Sequence, residues 1–214
     1  MSSLVINEIF HSIQGESTLA GRPCVFVRLT ACDLRCSWCD TEYAFYEGTR
    51  RSVEDVCAEV LRFDCDLVEL TGGEPLLQPA VHDVAAALLA AGKTVMIETG
   101  GHRDISKLDP RVRRIVDVKT PSSGEEKKML WPNLEHLREG DEVKFVIRDR
   151  TDFDYSLDVI RRHELEGRVP LLLSPVHGAL EAAELAQWIL EAGTSARLQL
   201  QIHKILWPGV LRGV

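Results

Sequence analysis

Short apolar runs rich in β-branched residues alternate along the chain with longer stretches whose apolar positions recur at helical spacing. Residues 24–30 (Cys-Val-Phe-Val-Arg-Leu-Thr) read as the first core strand, and further strands are expected at 66–71, 94–98, 112–119, 142–147, 169–174 and 198–203. Residues 4–11 alternate more weakly and read as a strand or an irregular lead-in, which Gln14-Gly15-Glu16 interrupts. Helices are expected over 52–64, 79–91, 152–164 and 180–192. The first has Ser52 as its N-cap, Asp55 at the third helical position, and Val53, Val56, Val60 and Leu61 on one face. Gly92 and Gly193 stand where the second and fourth helices should end.

Strands alternating with helices imply a parallel sheet with right-handed crossovers and ligands at the carboxyl ends of the strands. A closed eight-fold barrel typically takes ~250 residues, more than the 214 present. Several crossovers, such as residues 101–110, are also too short for a full helix. The fold expected is therefore α/β: a shortened, open, partial TIM-like (βα) barrel with a mostly parallel sheet. No repeat, low-complexity run or long polar linker divides the chain, so residues 1–214 read as a single domain.

Composition narrows the function. The formal charge of −8 opposes a nucleic-acid-binding surface. No apolar run approaches the roughly 20 residues that cross a bilayer, and the opening Met-Ser-Ser-Leu is unlike a signal peptide. A cytoplasmic, reducing location is the expectation, and there clustered cysteines are more often ligands than bridges. Cys24, Cys57 and Cys65 stand alone and read as small buried hydrophobes.

The chemistry concentrates in Cys32-Asp33-Leu34-Arg35-Cys36-Ser37-Trp38-Cys39-Asp40-Thr41. Spacings of three and then two residues fold three thiolates around one centre, as a metal or iron–sulfur site requires. A structural zinc site takes four closed ligands, and neither a second cysteine pair nor a close Cys-His pair supplies the fourth. The plain alternatives are a chance cluster or an incomplete zinc knuckle. Thr71-Gly72-Gly73-Glu74-Pro75 follows the next predicted strand, where a Gly-Gly turn admits close approach to backbone. Arg28, an expensive cation within an apolar strand, is either salt-bridged in the core or aimed at an anion at the strand's mouth, the position favoured here.

The Cys-x3-Cys-x2-Cys run resembles the signature of the radical S-adenosylmethionine enzymes. Asn7-Glu8-Ile9-Phe10, Ser12-Ile13-Gln14-Gly15-Glu16, Trp38-Cys39-Asp40-Thr41 and Thr71-Gly72-Gly73-Glu74-Pro75 extend the resemblance over nearly the whole chain, to the 7-carboxy-7-deazaguanine synthase family. That resemblance implies a 4Fe-4S cluster on Cys32, Cys36 and Cys39, with one iron open to S-adenosylmethionine. It implies S-adenosylmethionine contacts from Ser37, Trp38, Asp40, Gly72, Gly73, Glu74, Lys119, Thr120, Ser122 and Ser174. Glu74 would serve as charge complement or structural anchor. A magnesium ion on Thr41, with Asp40 nearby, is implied as well, and so are substrate contacts from Ile13, Gln14, Gly15, Arg28, Thr71 and the carboxylate of Val214. Many relatives carry Asn where Gly100 stands here, which leaves the contact at that loop open.

The reaction implied begins with reductive cleavage of S-adenosylmethionine to a 5′-deoxyadenosyl radical. Hydrogen abstraction from C6 of 6-carboxy-5,6,7,8-tetrahydropterin then leads, with loss of ammonia, to 7-carboxy-7-deazaguanine, a step of queuosine biosynthesis. A flavodoxin- or ferredoxin-type electron donor and a homodimer are further expectations. Two rival readings remain: a glycyl-radical activating enzyme, which shares the cysteine spacing but acts on a partner protein, and a zinc- or cluster-binding sensor. The Gln14-Gly15-Glu16 lead-in and the carboxyl-terminal Gln201-Ile202-His203-Lys204 stretch with Trp207 oppose the first. Residues 71–75 oppose the second.

Overall fold

A computed structural model describes residues 2–214. Nine strands form one sheet: β1 (Ser3–Ile13), β2 (Pro23–Leu29), β3 (Thr49–Ser52), β4 (Leu67–Gly72), β5 (Thr94–Thr99), β6 (Arg113–Val118), β7 (Glu142–Ile147), β8 (Leu171–Pro175) and β9 (Arg197–Leu198). Their order across the sheet is β3-β1-β2-β4-β5-β6-β7-β8-β9. From β2 to β9 every neighbouring pair is parallel, whereas β1 runs antiparallel to both β2 and β3. The edges β3 and β9 do not meet, so the sheet is open, as expected of a partial barrel.

The helices are α1 (Val53–Val60), α2 (Val81–Ala90), α3 (Arg150–Arg162), α4 (Ala182–Ala192) and α5 (Ile202–Leu206). The first four lie inside their expected ranges except at the start of α3. Ser52 caps α1 by accepting from the Asp55 amide at 3.0 Å, and Gly193 ends α4 in the left-handed region at φ 62°. No helix follows β5: residues 101–110 cross to β6 without one. Among the described residues no helix is long and apolar enough to cross a membrane.

Two expectations are corrected. Residues 198–203 do not continue as a strand; the ladder ends at Leu198 and α5 begins at Ile202. The Ile202 amide donates to Gly15 O at 3.0 Å, which turns the chain off the sheet and over its end. Strand β3 was not anticipated. Its sequence, Thr-Arg-Arg-Ser, has no apolar signal, and it exists because it pairs with the edge of β1 from Ser3 against Ser52 to Ile6 against Thr49.

The register gives the sheet two unlike faces. Val25, Val27 and Leu29, Val68 and Leu70, Val95 and Ile97, Val116 and Val118, Val143 and Phe145, and Leu171 and Leu173 are all buried in the main core. That core includes Val56 and Val60 of α1, Val84 and Leu88 of α2, Phe153 and Ile160 of α3 and Leu185 of α4. Period-two alternation puts the intervening residues on the opposite, inner face. Its lower layer is a small apolar cluster of Phe10, Cys24, Phe26, Leu67, Met96 and Ile115. Its upper layer, towards the strands' carboxyl ends, carries Arg28, Glu69, Glu98, Asp117 and Lys144.

One buried ion pair ties β6 to the turn before β7. Asp141 accepts from the Arg114 amide and Nε, both at 2.9 Å, and from the Arg138 amide at 2.9 Å. The Arg114 side chain is wholly buried. Replacing Asp141 by Ala strands that cation and should cost about 3–5 kcal/mol. Urea denaturation should show a correspondingly lower midpoint, and an unchanged midpoint would exclude this pair as a determinant of stability.

A candidate active site at the carboxyl ends of the strands

The cysteine loop starts from a tight backbone junction. Ala31 has φ 80°, uncommon for a residue with a side chain, immediately before Cys32. Its amide donates to Ala44 O at 2.8 Å, and its carbonyl accepts from the Glu74 amide at 2.8 Å. A Cβ on Gly73 would lie 2.1 Å from Ala31 O, and one on Gly72 would lie 2.2 Å from Leu29 O. The two glycines are thus required for packing β4's end against the start of the cysteine loop. Glu74 is buried, and its carboxylate accepts from the Leu76 amide, the Thr99 hydroxyl and the Gly100 amide at 2.9–3.0 Å. Its geometry is that of the structural anchor.

The rest of the loop is held by the segment after β6. The Arg35 amide donates to Glu125 at 2.6 Å, the Ser37 amide to Ser123 O at 3.1 Å, and the Ser37 hydroxyl to Ser122 O at 2.8 Å. His102 adds a bond between its Nε2 and Asp33 at 2.7 Å. Gly100 is packed against Leu34, where a Cβ would sit 2.9 Å from Cδ1.

A cleft of about 730 Å³ opens above the inner face. Cys32, Cys36 and Cys39 line it together with Ile13, Gln14, Gly15, Arg28, Trp38, Asp40, Thr41, Thr71, Gly72, Gly73, Glu74, Lys119 and Val214. Ser37, Thr120, Ser122 and Ser174 do not line it. Ser37 and Ser122 brace the loop, Ser122 also reaching Asp149 at 3.2 Å, and Thr120 donates to Val146 O at 3.0 Å. Ser174 is buried on β8, and its hydroxyl has no partner. A smaller hollow, about 300 Å³, lies at the opposite, amino-terminal end of β8 near Arg197, far from these groups in the fold.

Arg28 is salt-bridged and also reaches the cleft: its Nε bonds Glu8 at 2.7 Å. Glu8 accepts from the Tyr43 hydroxyl at 3.0 Å and the Gly213 amide at 3.2 Å, so the end of the chain is tied down beside Arg28. Arg212 stacks over Tyr43 at 4.4 Å and pairs with Glu47 at 2.6 Å. Gly15 is packed against His203: a Cβ there would lie 2.1 Å from its Nδ1. Asp40 at the cleft mouth pairs with Lys204 at 2.6 Å and accepts from the Thr41 hydroxyl at 2.9 Å. Burial would raise its carboxyl, but Lys204 prevails and holds it down at about 2.

Sequence reasoning missed the floor of the cleft. Lys144 contacts Glu16 at 2.8 Å, also pairs with Glu98, and lies 3.8 Å from Asp117, which in turn holds Lys119 at 2.7 Å. Glu69 accepts from the Gln14 amide group. Burial, and then the Glu98 and Glu16 carboxylates, push the Glu69 carboxyl well above its ordinary range. Burial alone would lower Lys144, yet Glu16, Glu98 and Asp117 raise it well above that of a free lysine. A signal was present: Leu-Val-Glu-Leu-Thr, Val-Met-Ile-Glu-Thr, Ile-Val-Asp-Val and Glu-Val-Lys-Phe-Val each place a charge inside an apolar strand.

The donor set suits an iron–sulfur cluster. The three thiols are half-buried, free and on one cavity wall. Among the described residues no three His, Cys, Asp or Glu side chains converge on a point that would hold a single metal ion. Burial pushes all three thiols up, Cys36 to about 11, so a cluster held here would have to displace their protons. The Leu34 amide faces Cys32 Sγ at 3.4 Å, the kind of hydrogen bond that tunes a cluster.

Comparisons with known proteins decide the family. Residues 27–167 match the Radical SAM superfamily. A 7-carboxy-7-deazaguanine synthase of Koribacter versatilis (strain Ellin345) is 43% identical over 98% of this chain and 99% of its own length. The chain belongs to the 7-carboxy-7-deazaguanine synthase family of radical S-adenosylmethionine enzymes. Another member, from Chlorobaculum tepidum, is 42% identical over 99% of this chain and 97% of its own length. The fold of the crystal structure of QueE from Escherichia coli superimposes with a TM-score of 0.79 at 23% identity, covering 92% of this chain and 93% of that one. Membership in this family brings a 4Fe-4S cluster and S-adenosylmethionine as cofactors.

Glu69 offers a test of the floor's electrostatics. Folded Glu69 keeps its proton to a higher pH than the unfolded chain, whose glutamate titrates near 4.5. The folded state therefore binds more protons in that window, and stability falls as pH rises through it. Glu69→Gln removes this term. The urea midpoint of the variant should gain on that of the natural protein as pH rises above 4.5; parallel pH profiles would show that Glu69 is not neutral in the fold.

Proposed function

We propose that the chain converts 6-carboxy-5,6,7,8-tetrahydropterin to 7-carboxy-7-deazaguanine with release of ammonia, in queuosine or a related 7-deazapurine pathway. The observation that carries this reading is the single cleft shared by Cys32, Cys36 and Cys39 with Arg28, Thr71 and the chain's end. A glycyl-radical activating enzyme has a protein for its substrate. Here the tail and α5 border a cleft of about 730 Å³, within the range of small-molecule sites.

Cys32, Cys36 and Cys39 hold the cluster in this reading. When bound, the cluster would supply the electron that opens S-adenosylmethionine to radical chemistry on the pterin. Gly72 and Gly73 present backbone to S-adenosylmethionine beside Trp38, Asp40 and Lys119. Glu74 fixes that backbone, and Ser37, Thr120 and Ser122 brace the loops behind it. The unpartnered hydroxyl of Ser174 is left for a ligand contact. Arg28 offers its guanidinium to the substrate carboxylate, since Glu8 engages only the Nε edge. Ile13, Gln14, Gly15 and Thr71 border the pterin ring, and the Val214 carboxylate accepts from its amino and ring N–H groups. Thr41, with Asp40 beside it, would ligate magnesium, a hard cation that takes oxygen donors. A flavodoxin- or ferredoxin-type donor, a homodimer and a cytoplasmic setting complete the proposal, the last fitting six free cysteines.

Anaerobic reconstitution tests the reading. The brown protein, given S-adenosylmethionine, magnesium, reductant and 6-carboxytetrahydropterin, should form 7-carboxy-7-deazaguanine, ammonia and 5′-deoxyadenosine. Alanine at any one of Cys32, Cys36 or Cys39 should abolish cluster assembly and turnover while the fold persists. Full iron content in a single variant would refute the ligand assignment.

Deleting Gly213 and Val214, or appending a carboxyl-terminal tag, should raise the KM for the pterin roughly tenfold, the factor that ~1.4 kcal/mol represents. Charge-assisted hydrogen bonds contribute about 1.5–3 kcal/mol, so a loss of that size is expected. Iron content should not change. Unaltered pterin kinetics would reduce the tail to a bystander.

A further inference from the structure

The buried charges beneath the cleft connect to the segment above it. Lys144 is 4% exposed on the inner face of β7. Its ammonium group lies 2.8 Å from Glu16 Oε2, and the other oxygen of Glu16 accepts from Gln201 Nε2 at 2.8 Å. Gln201 immediately precedes α5. On either side of this link the backbones touch: the Ile202 amide donates to Gly15 O at 3.0 Å, and His203 lies against Gly15 with no room for a Cβ.

We infer that Lys144 is a positioning residue that holds the carboxyl-terminal segment closed over the cleft, acting through Glu16 and Gln201. Glu16 sits among buried acidic side chains, and a further carboxylate is stable there only beside a cation. Lys144 meets Glu16, Glu98 and Asp117 together. Without it, repulsion from Glu98, which shares the same ammonium group, drives Glu16 out of its place. Gln201 then loses its acceptor, and the seam between Gly15 and Ile202 opens. The tail's other side-chain ties, Lys204 to Asp40, Arg212 to Glu47 and Gly213 to Glu8, lie at the mouth of the cleft. Among the described residues the Lys144 link is the one side-chain tie from the segment to the charged floor, so the charge balance below the substrate governs closure above it.

The consequence for substrate binding rests on the function proposed above; the consequence for the tail does not. Hydrogen exchange on the reconstituted enzyme, without pterin, should show the Ile202 and Trp207 amides exchanging about tenfold faster in Lys144→Met. Lys144→Arg, which keeps the charge, should restore most of the protection. Gln201→Ala cuts the link at a half-buried position and leaves the ion cluster intact. It should loosen the same amides, and it tests the inference by itself should Lys144→Met not fold.

The pterin KM should rise in both variants, and the Gly213–Val214 deletion should add less in a Lys144→Met background than in the natural chain, because coupled sites are not additive. Exchange at the natural rate in Gln201→Ala, or in folded Lys144→Met, overturns the inference. So does a raised KM with unchanged exchange, since Lys144 would then act on substrate directly. An absence of pterin turnover in the natural protein would sink the functional proposal and leave the exchange result standing.

Discussion

The structure depends on burying charge on one face of its sheet. An isolated ion in a protein interior is costly, and only close, well-bonded partners offset the loss of water. Glu69, Glu98, Asp117 and Lys144 come from four successive parallel strands and share the inner face; Asp117 and Lys144 are direct partners across β6 and β7, while Glu69 and Glu98 are offset along it, opposite Met96 and Ile115. The outer face of the same strands is apolar apart from Arg114 and Thr99, and helices pack against it. The inner face divides into an apolar lower layer and a charged upper layer, and the cleft begins where the second starts. The loop between β1 and β2 brings Glu16 to this layer, and Thr18 anchors the loop on Glu142, donating its amide at 2.9 Å.

The cysteine loop obeys a different constraint, that of close backbone contact. Residues 29–31 and 72–74 approach so nearly that neither Gly72 nor Gly73 admits a side chain. The Glu74 carboxylate fixes the following turn and reaches β5 through Thr99. The spacing of the three cysteines is therefore not held by the loop alone. The glycine run behind it and the Glu125 carboxylate beside it set the loop's path, so a ligand on Gly72 and Gly73 would feel the same scaffold as one on the cysteines.

The carboxyl-terminal segment joins these two systems. It meets the charged floor through Gln201, the edge of the cysteine loop through Lys204, and the Arg28–Glu8 pair through Gly213. Each tie is polar and partly exposed, and Ile205, Leu206 and Leu211 remain exposed. Such a segment is ordered by few buried apolar contacts, the property of elements that open locally. In this structure the segment is thus held over the cleft by a few hydrogen bonds and ion pairs rather than by the core.

Much of this was determined by the sequence itself. Apolar runs bounded by turn residues marked β2, β4, β5, β6, β7 and β8, because a strand covered on one face by helices needs β-branched and other apolar side chains there. Ser52, Gly92 and Gly193 marked helix ends, because capping chemistry is local. The cysteine spacing and residues 71–75 named a family, because ligand geometry constrains neighbours in sequence. What lay beyond was non-local. Thr49–Ser52 became a strand only by pairing with β1, and residues 199–203 left the sheet because Gly15 O offered Ile202 a better partner than an extended ladder. Glu16, Glu69, Glu98, Asp117 and Lys144 are ordinary charges in the sequence, spread over 129 positions. Only the parallel register and the β1–β2 loop made them one buried network, since the free energy of a buried charge depends on its neighbours in space.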